Sequence, residues 1–193
     1  MSLLDISIFV ISVLGIFLEM VQKPLFWLLY IIAAALLGYE FIQTNLYGSC
    51  LLQFIYIVIS IYGWYKWTHK DSKHHLLEIC HTSLNQWINY IIATLIIGII
   101  CYFILKHTGD TEYLSDAILT AICITATYMA ALKQIESWFV FAGTVLISVP
   151  LYLNYHLYFT CLTYVIFGVL DLSGGIKWLL DFKRSKTKLA LQN

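Results

Sequence analysis

The sequence predicts an all-α integral membrane protein with seven transmembrane helices. Of its 193 residues, 61% are hydrophobic and only 11% are charged. A soluble domain carries about 25% charged residues, so most of this surface cannot face water. The apolar residues form runs close to the roughly 20 residues that cross a hydrocarbon core. We therefore expect a single polytopic domain, residues 1–193, embedded in a lipid bilayer.

The seven spans follow from the apolar runs and the polar breaks between them. The first run begins almost at the first residue and lacks a basic n-region, so it is not expected to be a removable signal. Pro24 suits the first turn of the second span. A polar stretch, 68–86, precedes the fourth span, and the other connections are short, which predicts antiparallel neighbours. The predicted spans are 4–21, 24–41, 46–67, 87–105, 113–132, 135–153 and 157–180.

The basic residues predict the orientation of the chain. With seven spans and a cytoplasmic C-terminus, ten of the eleven Lys and Arg residues lie on the inner side, and Lys106 alone lies on the outer side. Such an excess over short loops is the positive-inside pattern. We expect the N-terminus outside and the C-terminus in the cytoplasm.

An internal repeat connects the third and seventh spans. Residues 46–67 and 157–178 share nine identities in twenty-two positions without a gap, among them Gly63/Gly174 and Trp67/Trp178. The same offset of 111 residues places the second span on the sixth. The corresponding spans cross in the same direction, which predicts two parallel repeats (4–67 and 113–180) joined by a linker helix (87–105), a 3+1+3 architecture.

The sixth span opens with LKQIESWFVF, in which Ser137, Trp138 and Phe141 fall within two helical turns. Trp138 and Phe141 are three residues apart and share a helix face. Stacked aromatic rings can clamp a flat or cationic ligand. The alternative is that Trp138 belongs to the interfacial aromatic belt and Phe141 faces lipid.

Asp171 lies near the middle of the seventh span. An acid there costs roughly 2.5–3.5 kcal/mol on insertion scales, so it should face the interior and have a partner. The partner could be a cationic substrate, a proton, or a hydroxyl such as that of Ser60 or Ser173. Glu19 and Glu40 lie near predicted span ends, where water is within reach, and are interpreted as structural.

The remaining polar residues, cysteines and histidines indicate which kinds of site the sequence could form. Gln53 and Tyr56 are polar groups in the third span that could hold a ligand or bond a neighbouring helix. The five cysteines are interpreted as packing residues. The loop residues His69, His74, His75, Cys80 and His81 match no compact four-ligand pattern, so neither metal nor other cofactor is expected. No nucleotide-binding or catalytic motif and no nucleic-acid-binding pattern is present.

The residues that carry a family resemblance are Glu19–Trp67, with YGWYKW at its end, and the segment LKQIESWFVF. Together they resemble the PnuC-type vitamin transporters over nearly the whole chain. The resemblance implies a seven-helix bundle of 3+1+3 type, distantly like the semi-SWEET sugar transporters. Members carry nicotinamide riboside into bacteria across the inner membrane by facilitated diffusion, and a cytoplasmic kinase traps the substrate; relatives carry thiamine or riboflavin.

The sequence departs from the family pattern at several expected ligand contacts. Ser137 replaces an asparagine, Phe141 a second tryptophan, Val145 a polar residue, and Thr127 a glutamine. Because unmet hydrogen bonds in a buried site are expensive, thiamine, with fewer hydroxyls, is a rival substrate. Positions where the halves differ, such as Trp64 against Gly175, are further candidate contacts.

The sequence therefore predicts a uniporter for an aromatic, cationic vitamin or nucleoside-like molecule. The predicted substrate contacts are Gln53, Tyr56, Trp64, Thr127, Ser137, Trp138, Phe141 and Asp171. A proton-coupled transporter using Asp171, a seven-helix receptor and an intramembrane enzyme are the alternatives, although no paired catalytic constellation is present. Both a monomer and a homo-oligomer such as a trimer stay open.

Overall fold

The structure is a computed structural model that describes residues 3–43, 47–70, 76–107, 113–154, 156 and 158–190. These residues form seven α-helices and no strand. The helices are α1 (Leu3–Met20), α2 (Leu25–Gln43), α3 (Tyr47–Thr68), α4 (Leu84–His107), α5 (Tyr113–Ala131), α6 (Glu136–Asn154) and α7 (Tyr158–Ala190).

The helix boundaries agree with the predicted spans to within three residues at every end but one. The exception is α7, which continues for ten residues past the predicted end at 180. The added segment is rich in Lys and Arg, which end an apolar run but are good helix formers. The apolar pattern thus marked the end of the hydrophobic stretch and not the end of the helix.

Four of the described helices, namely α2, α4, α5 and α6, are long and apolar enough to cross a membrane. Their outward faces carry many exposed large hydrophobic side chains; on α4, Leu95 is 63% exposed and Ile99 58%. An exposed apolar surface of this kind is typical of helices that face lipid.

Neighbouring helices pack in a ring that has two similar sides. Helices α1, α2 and α3 pack in sequence, and α5, α6 and α7 do the same. The two groups meet where α1 packs on α7 and where α3 packs on α5. Helix α4 lies outside this ring, against α5 and α3.

The turn between α1 and α2 and the turn between α5 and α6 have the same conformation. Gln22 and Lys133, 111 residues apart, both have positive φ, 56° and 53°. In the first turn the amide of Gln22 donates to the Glu19 carbonyl at 2.8 Å, and in the second the amide of Lys133 donates to the Ala130 carbonyl at 2.9 Å. Three further backbone hydrogen bonds correspond at the same offset.

Four tryptophans fill the end of the bundle that carries these two turns, here called the turn end. Trp27, Trp67, Trp138 and Trp178 are each at most 3% exposed. The rings of Trp67 and Trp178 lie 5.8 Å apart, and those of Trp138 and Trp178 5.4 Å apart. These four indoles, here called the tryptophan cluster, close the turn end of the bundle.

Hydrogen bonds from this cluster cross between the two groups of helices. The Trp67 indole donates to the carbonyl of Ala130 at 3.3 Å, and the Trp178 indole donates to the carbonyl of Met20 at 3.3 Å. The Lys133 ammonium lies 4.4 Å from the centre of the Trp67 ring. Burial lowers the pKa of Lys133 from its ordinary value. Each turn is thus tied to the helix that faces it.

The segment that precedes α4 crosses the α5–α6 turn. The Cys80 amide donates to the Lys133 carbonyl and the Ile135 amide donates to the Cys80 carbonyl, both at 3.0 Å. The Glu136 carboxylate accepts hydrogen bonds from the Thr82 amide at 2.9 Å and hydroxyl at 2.8 Å, and it pairs with the ring of His81 at 2.7 Å. All five cysteines are free.

Candidate functional site

A cavity of about 360 Å³ lies between the two groups of helices, and it is bordered by helices from both. Ligand sites for small molecules are typically ~300–1,000 Å³, so this cavity can hold one vitamin-sized molecule. Its described walls are Ser12, Ile16, Glu19, Tyr30, Tyr56, Cys123, Thr127, Phe141, Thr144, Val145, Tyr164, Phe167, Gly168 and Asp171. We call it the central cavity.

Two carboxylates border the central cavity. Glu19 is 4% exposed and Asp171 is 8% exposed. The Tyr30 hydroxyl donates to Glu19 Oε2 at 2.9 Å, whereas Asp171 has no hydrogen bond or ion pair with any residue that the structure describes. No Lys, Arg or His is among the described wall residues. The cavity is therefore bordered by two acidic side chains, and none of its described walls supplies a basic side chain to pair with them.

Two threonine hydroxyls of the wall have their protons already engaged. Thr127 donates its hydroxyl proton to the Cys123 carbonyl at 2.7 Å, and Thr144 donates to the Phe141 carbonyl at 2.7 Å. Because each proton is used within its own helix, only the oxygen lone pairs are left to face a ligand. These two threonines thus offer acceptors, which suit a ligand that brings donors or positive charge.

Several wall residues are 111 positions apart in the sequence. The pairs are Ser12/Cys123, Ile16/Thr127, Tyr30/Phe141 and Tyr56/Phe167. Corresponding positions of the two halves therefore contribute to one cavity, but with different chemistry at each pair.

Four of the predicted contact residues lie together in this wall: Tyr56, Thr127, Phe141 and Asp171. Gln53 lines a neighbouring cavity of about 280 Å³ on the side away from the tryptophan cluster. That second cavity shares Tyr56, Cys123 and Tyr164 with the central one.

Three predicted contact residues are among the described walls of neither cavity. Trp138 is 1% exposed and belongs to the tryptophan cluster. Ser137 is 1% exposed and donates its hydroxyl to the Gln134 carbonyl at 2.7 Å. Trp64 is half-buried beside the tryptophan cluster. Trp138 and Phe141 are 60° apart around α6, enough to send one ring into the cluster and the other to the cavity.

Two acids that sequence reasoning treated as structural behave differently in the structure. Glu40 is partly exposed, as expected for a residue near a helix end. Glu19 was also expected to be within reach of water, and this expectation was wrong. Glu19 is 4% exposed and borders the central cavity, because the tryptophan cluster closes the turn end. Tyr30 was missed altogether, although it corresponds to Phe141 at the repeat offset. Projecting each candidate through the 111-residue offset would have found it.

No group of three or more His, Cys, Asp or Glu side chains that could hold a metal ion occurs among the described residues. Of the loop histidines, His74 and His75 lie outside the residues that the structure describes.

Residues 2–180 match the family model of the nicotinamide mononucleotide transporters. The chain belongs to this family. Membership, together with the apolar helices, makes it a multi-pass membrane transporter of a small molecule. It also agrees with the resemblance to PnuC-type transporters seen in the sequence.

Curated relatives of this transporter differ in their named substrates. It is 25% identical to the nicotinamide riboside transporter PnuC of Escherichia coli (strain K12) over 175 residues, which cover 77% of this chain and 73% of the relative. It is 27% identical over 145 residues to the riboflavin/roseoflavin transporter RibM of Streptomyces davaonensis, covering 72% of this chain and 68% of that protein.

The fold of this transporter resembles that in the crystal structure of the vitamin B3 transporter PnuC. The TM-score is 0.74 at 19% sequence identity, and the match covers 94% of this chain and 82% of the other. The likeness establishes a shared fold.

Proposed function

We propose that this transporter imports an aromatic, cationic vitamin precursor of the nicotinamide riboside type by facilitated diffusion. The observation that carries the proposal is the central cavity, which combines aromatic walls with Asp171 and has no basic side chain among its described residues. Buried acids in membrane proteins usually have a partner, and a cationic substrate would supply one here. Membership of the transporter family favours this function over a receptor or a membrane enzyme.

In this proposal the wall residues have separate roles. Phe141 and Tyr56 stack on the substrate ring, because aromatic faces attract flat and positively charged groups. Thr127 accepts a hydrogen bond from a substrate donor, and Asp171 balances the positive charge. Trp138 supports the site from behind as part of the tryptophan cluster.

Gln53, Trp64 and Ser137 take indirect roles in the same proposal. Gln53 lines the neighbouring cavity, which would serve as the entrance, so that Gln53 meets the substrate before the substrate reaches the central cavity. Ser137 bonds to its own helix, and Trp64 packs beside the tryptophan cluster. Both are expected to act on the shape of the site rather than to contact the substrate.

Alternating access would arise from two parallel repeats, 4–67 and 113–180, that rock about the central cavity with α4 as the linker. Support comes from the matching turns at Gln22 and Lys133 and from the wall pairs at the 111-residue offset. It also comes from the contacts between halves, because α1 with α7 and α5 with α3 are corresponding pairs.

The proposed topology has all seven helices crossing the inner membrane of a bacterium, with the N-terminus outside. The charge distribution supports it, since ten of eleven Lys and Arg residues then lie inside. The tryptophan cluster would close the cytoplasmic side. Phosphorylation by a cytoplasmic kinase would trap the substrate after entry, so a uniporter would suffice.

Thiamine is the second candidate substrate, because no Asn or Gln side chain is among the described walls of the central cavity. A ribosyl carboxamide needs several polar partners, and thiamine fewer. Riboflavin is a third candidate because the chain is similar to RibM, although riboflavin carries no positive charge.

Binding to the purified full-length protein tests the proposal. Isothermal titration with nicotinamide riboside, thiamine and riboflavin should show saturable binding of at least one cation. Phe141→Ala should weaken that binding by roughly tenfold or more, the loss of one aromatic contact of about 1–2 kcal/mol. Phe103→Ala is the matched control, since Phe103 is 56% exposed on the outer face of α4.

Transport is tested separately in liposomes. Uniport predicts counterflow of labelled substrate without an ion gradient, at a rate that an imposed pH gradient does not change. If none of the three vitamins binds, the proposed function is wrong. If uptake requires a pH gradient, the uniport mechanism is wrong, and proton coupling through Asp171 replaces it.

A further inference from the structure

We infer that Glu19, held in place by Tyr30, is a second carboxylate of the substrate site and makes the site selective for positively charged ligands over neutral ones. This inference rests on the proposed function and specifies a residue and a selectivity that the proposal does not contain. It also gives a reason why this transporter should discriminate a cationic vitamin from a neutral flavin.

The local sequence explains how Glu19 is held. Gly15 lies four residues before Glu19, on the same face of α1. A Cβ atom at Gly15 would lie 2.5 Å from Tyr30 Cε1, so the ring of Tyr30 occupies the space that a side chain would take. The Tyr30 ring is also supported edge-on by Phe26, with ring centres 5.3 Å apart. Tyr30 is thereby fixed where its hydroxyl reaches Glu19 Oε2 at 2.9 Å.

In this geometry the Glu19 carboxyl group can still accept further hydrogen bonds. A carboxylate can accept several hydrogen bonds, and Tyr30 is the one donor that it has among the described residues. Glu19 is 96% removed from solvent, as its exposure of 4% shows, and it borders the central cavity with Asp171. Because both acids border one cavity, a ligand cation bound there would offset the cost of burying their ionised forms.

The other half of the molecule argues against a purely structural role for the pair. At the 111-residue offset, Ala130 corresponds to Glu19 and Phe141 corresponds to Tyr30. The α5–α6 turn nevertheless shares four backbone hydrogen bonds with the α1–α2 turn at this offset. Since this turn forms without an acid or a phenol, neither is required by the local fold.

The experiment compares ligands that differ in charge but hardly in shape. Nicotinamide riboside is a cation, and its reduced dihydro form is neutral and of nearly the same size. Both are titrated into the full-length protein, with thiamine as a further cation and riboflavin as a further neutral ligand. The wild-type protein should bind its best cation at least tenfold more tightly than either neutral ligand.

Glu19→Gln keeps the size of the side chain and removes its charge. We expect it to weaken binding of the cation by about 10- to 100-fold, the worth of one contact to a charged group, and to change neutral-ligand binding by less than about threefold. Tyr30→Phe, which keeps the ring in the Gly15 notch, should give a smaller selective loss of about 3- to 10-fold. Asp181→Asn is the control, because Asp181 pairs with Lys177 at 2.7 Å, away from the cavity.

The possible outcomes separate this inference from the proposed function. Equal losses for cation and neutral ligand in Glu19→Gln would show a structural residue and overturn the inference, while the proposed function would stand. A neutral ligand that binds the wild type as tightly as the cation would also overturn it. If no ligand binds the wild type, the proposed function fails, and the inference with it. Should Glu19→Gln not fold, the same comparison in Tyr30→Phe decides.

Discussion

Replacing Gly174 by alanine should destabilise this transporter, because a side chain there has no room. A Cβ atom at Gly174 would lie 2.5 Å from Cε3 of Trp138, and one at Gly63 would lie 2.5 Å from Cε2 of Trp27. Real Cβ atoms essentially never come closer than 3.0 Å to another heavy atom. Both tryptophans are at most 1% exposed, so neither ring can turn into solvent to make space.

The size of the effect follows from two opposing contributions. Overpacking a buried site costs about 1–3 kcal/mol, and here the obstacle is a rigid indole, so we take about 3 kcal/mol. Alanine in place of glycine within a helix stabilises the folded state by about 1 kcal/mol. The net loss for Gly174→Ala is then about 2 kcal/mol. For a chain of this length that corresponds to a melting temperature lower by roughly 4–8 °C.

Thermal unfolding of the purified protein in detergent measures this loss, at one fixed scan rate because such unfolding is often irreversible. Gly63→Ala should show a similar decrease, since it meets the equivalent tryptophan. Gly143→Ala is the matched control: nothing lies within 4 Å of its added Cβ, so it should be neutral or stabilise by up to about 1 kcal/mol. Combining Gly174→Ala with Trp138→Phe should recover part of the loss, because phenylalanine lacks the second ring.

Two results would refute this reasoning. One is a Gly174→Ala variant that melts within a degree or so of wild type, at the level of the Gly143→Ala control. The other is strict additivity of Gly174→Ala and Trp138→Phe, because residues that compete for one space must couple.

Two further predictions concern hydrogen bonds at the turn end. Trp67→Phe removes the indole N–H that donates to the buried carbonyl of Ala130, and it should cost about 1–3 kcal/mol. Circular dichroism melting measures it, and a loss no larger than that of Trp87→Phe on α4 would contradict it. Glu136→Gln removes the charge that accepts two hydrogen bonds from Thr82, and it should cost about 1–2 kcal/mol and loosen the segment before α4. Limited proteolysis should then cut this segment faster; unchanged cleavage would show that these bonds do not hold it.

Much of the fold could be predicted from the sequence because the hydrophobic effect acts on composition. A run of about 20 apolar residues must leave water, and its backbone must pair internally, so it becomes a helix. The apolar runs predict thirteen of the fourteen described helix ends to within three residues. They fail only at the end of α7, where helix propensity continues beyond the apolar run.

The candidate site was predicted less completely, because contact depends on which face of a helix meets which neighbour. Trp138 and Phe141 share a face by spacing, yet Trp138 packs against Gly174 and Phe141 lines the cavity. The sequence showed Gly174 as a shared repeat residue but could not show that its missing side chain makes room for an indole. Glu19 was misjudged for the same reason.

The sequence by itself determined the number and order of the helices, the membrane environment and the family, since these depend on composition, periodicity and short motifs. Only the tertiary structure decided that Glu19 and Asp171, 152 positions apart, border one cavity with no basic side chain among its described walls. The physical reason is that the burial of a side chain and its interaction with other charges depend on an environment formed by several helices. No single stretch of sequence contains that environment.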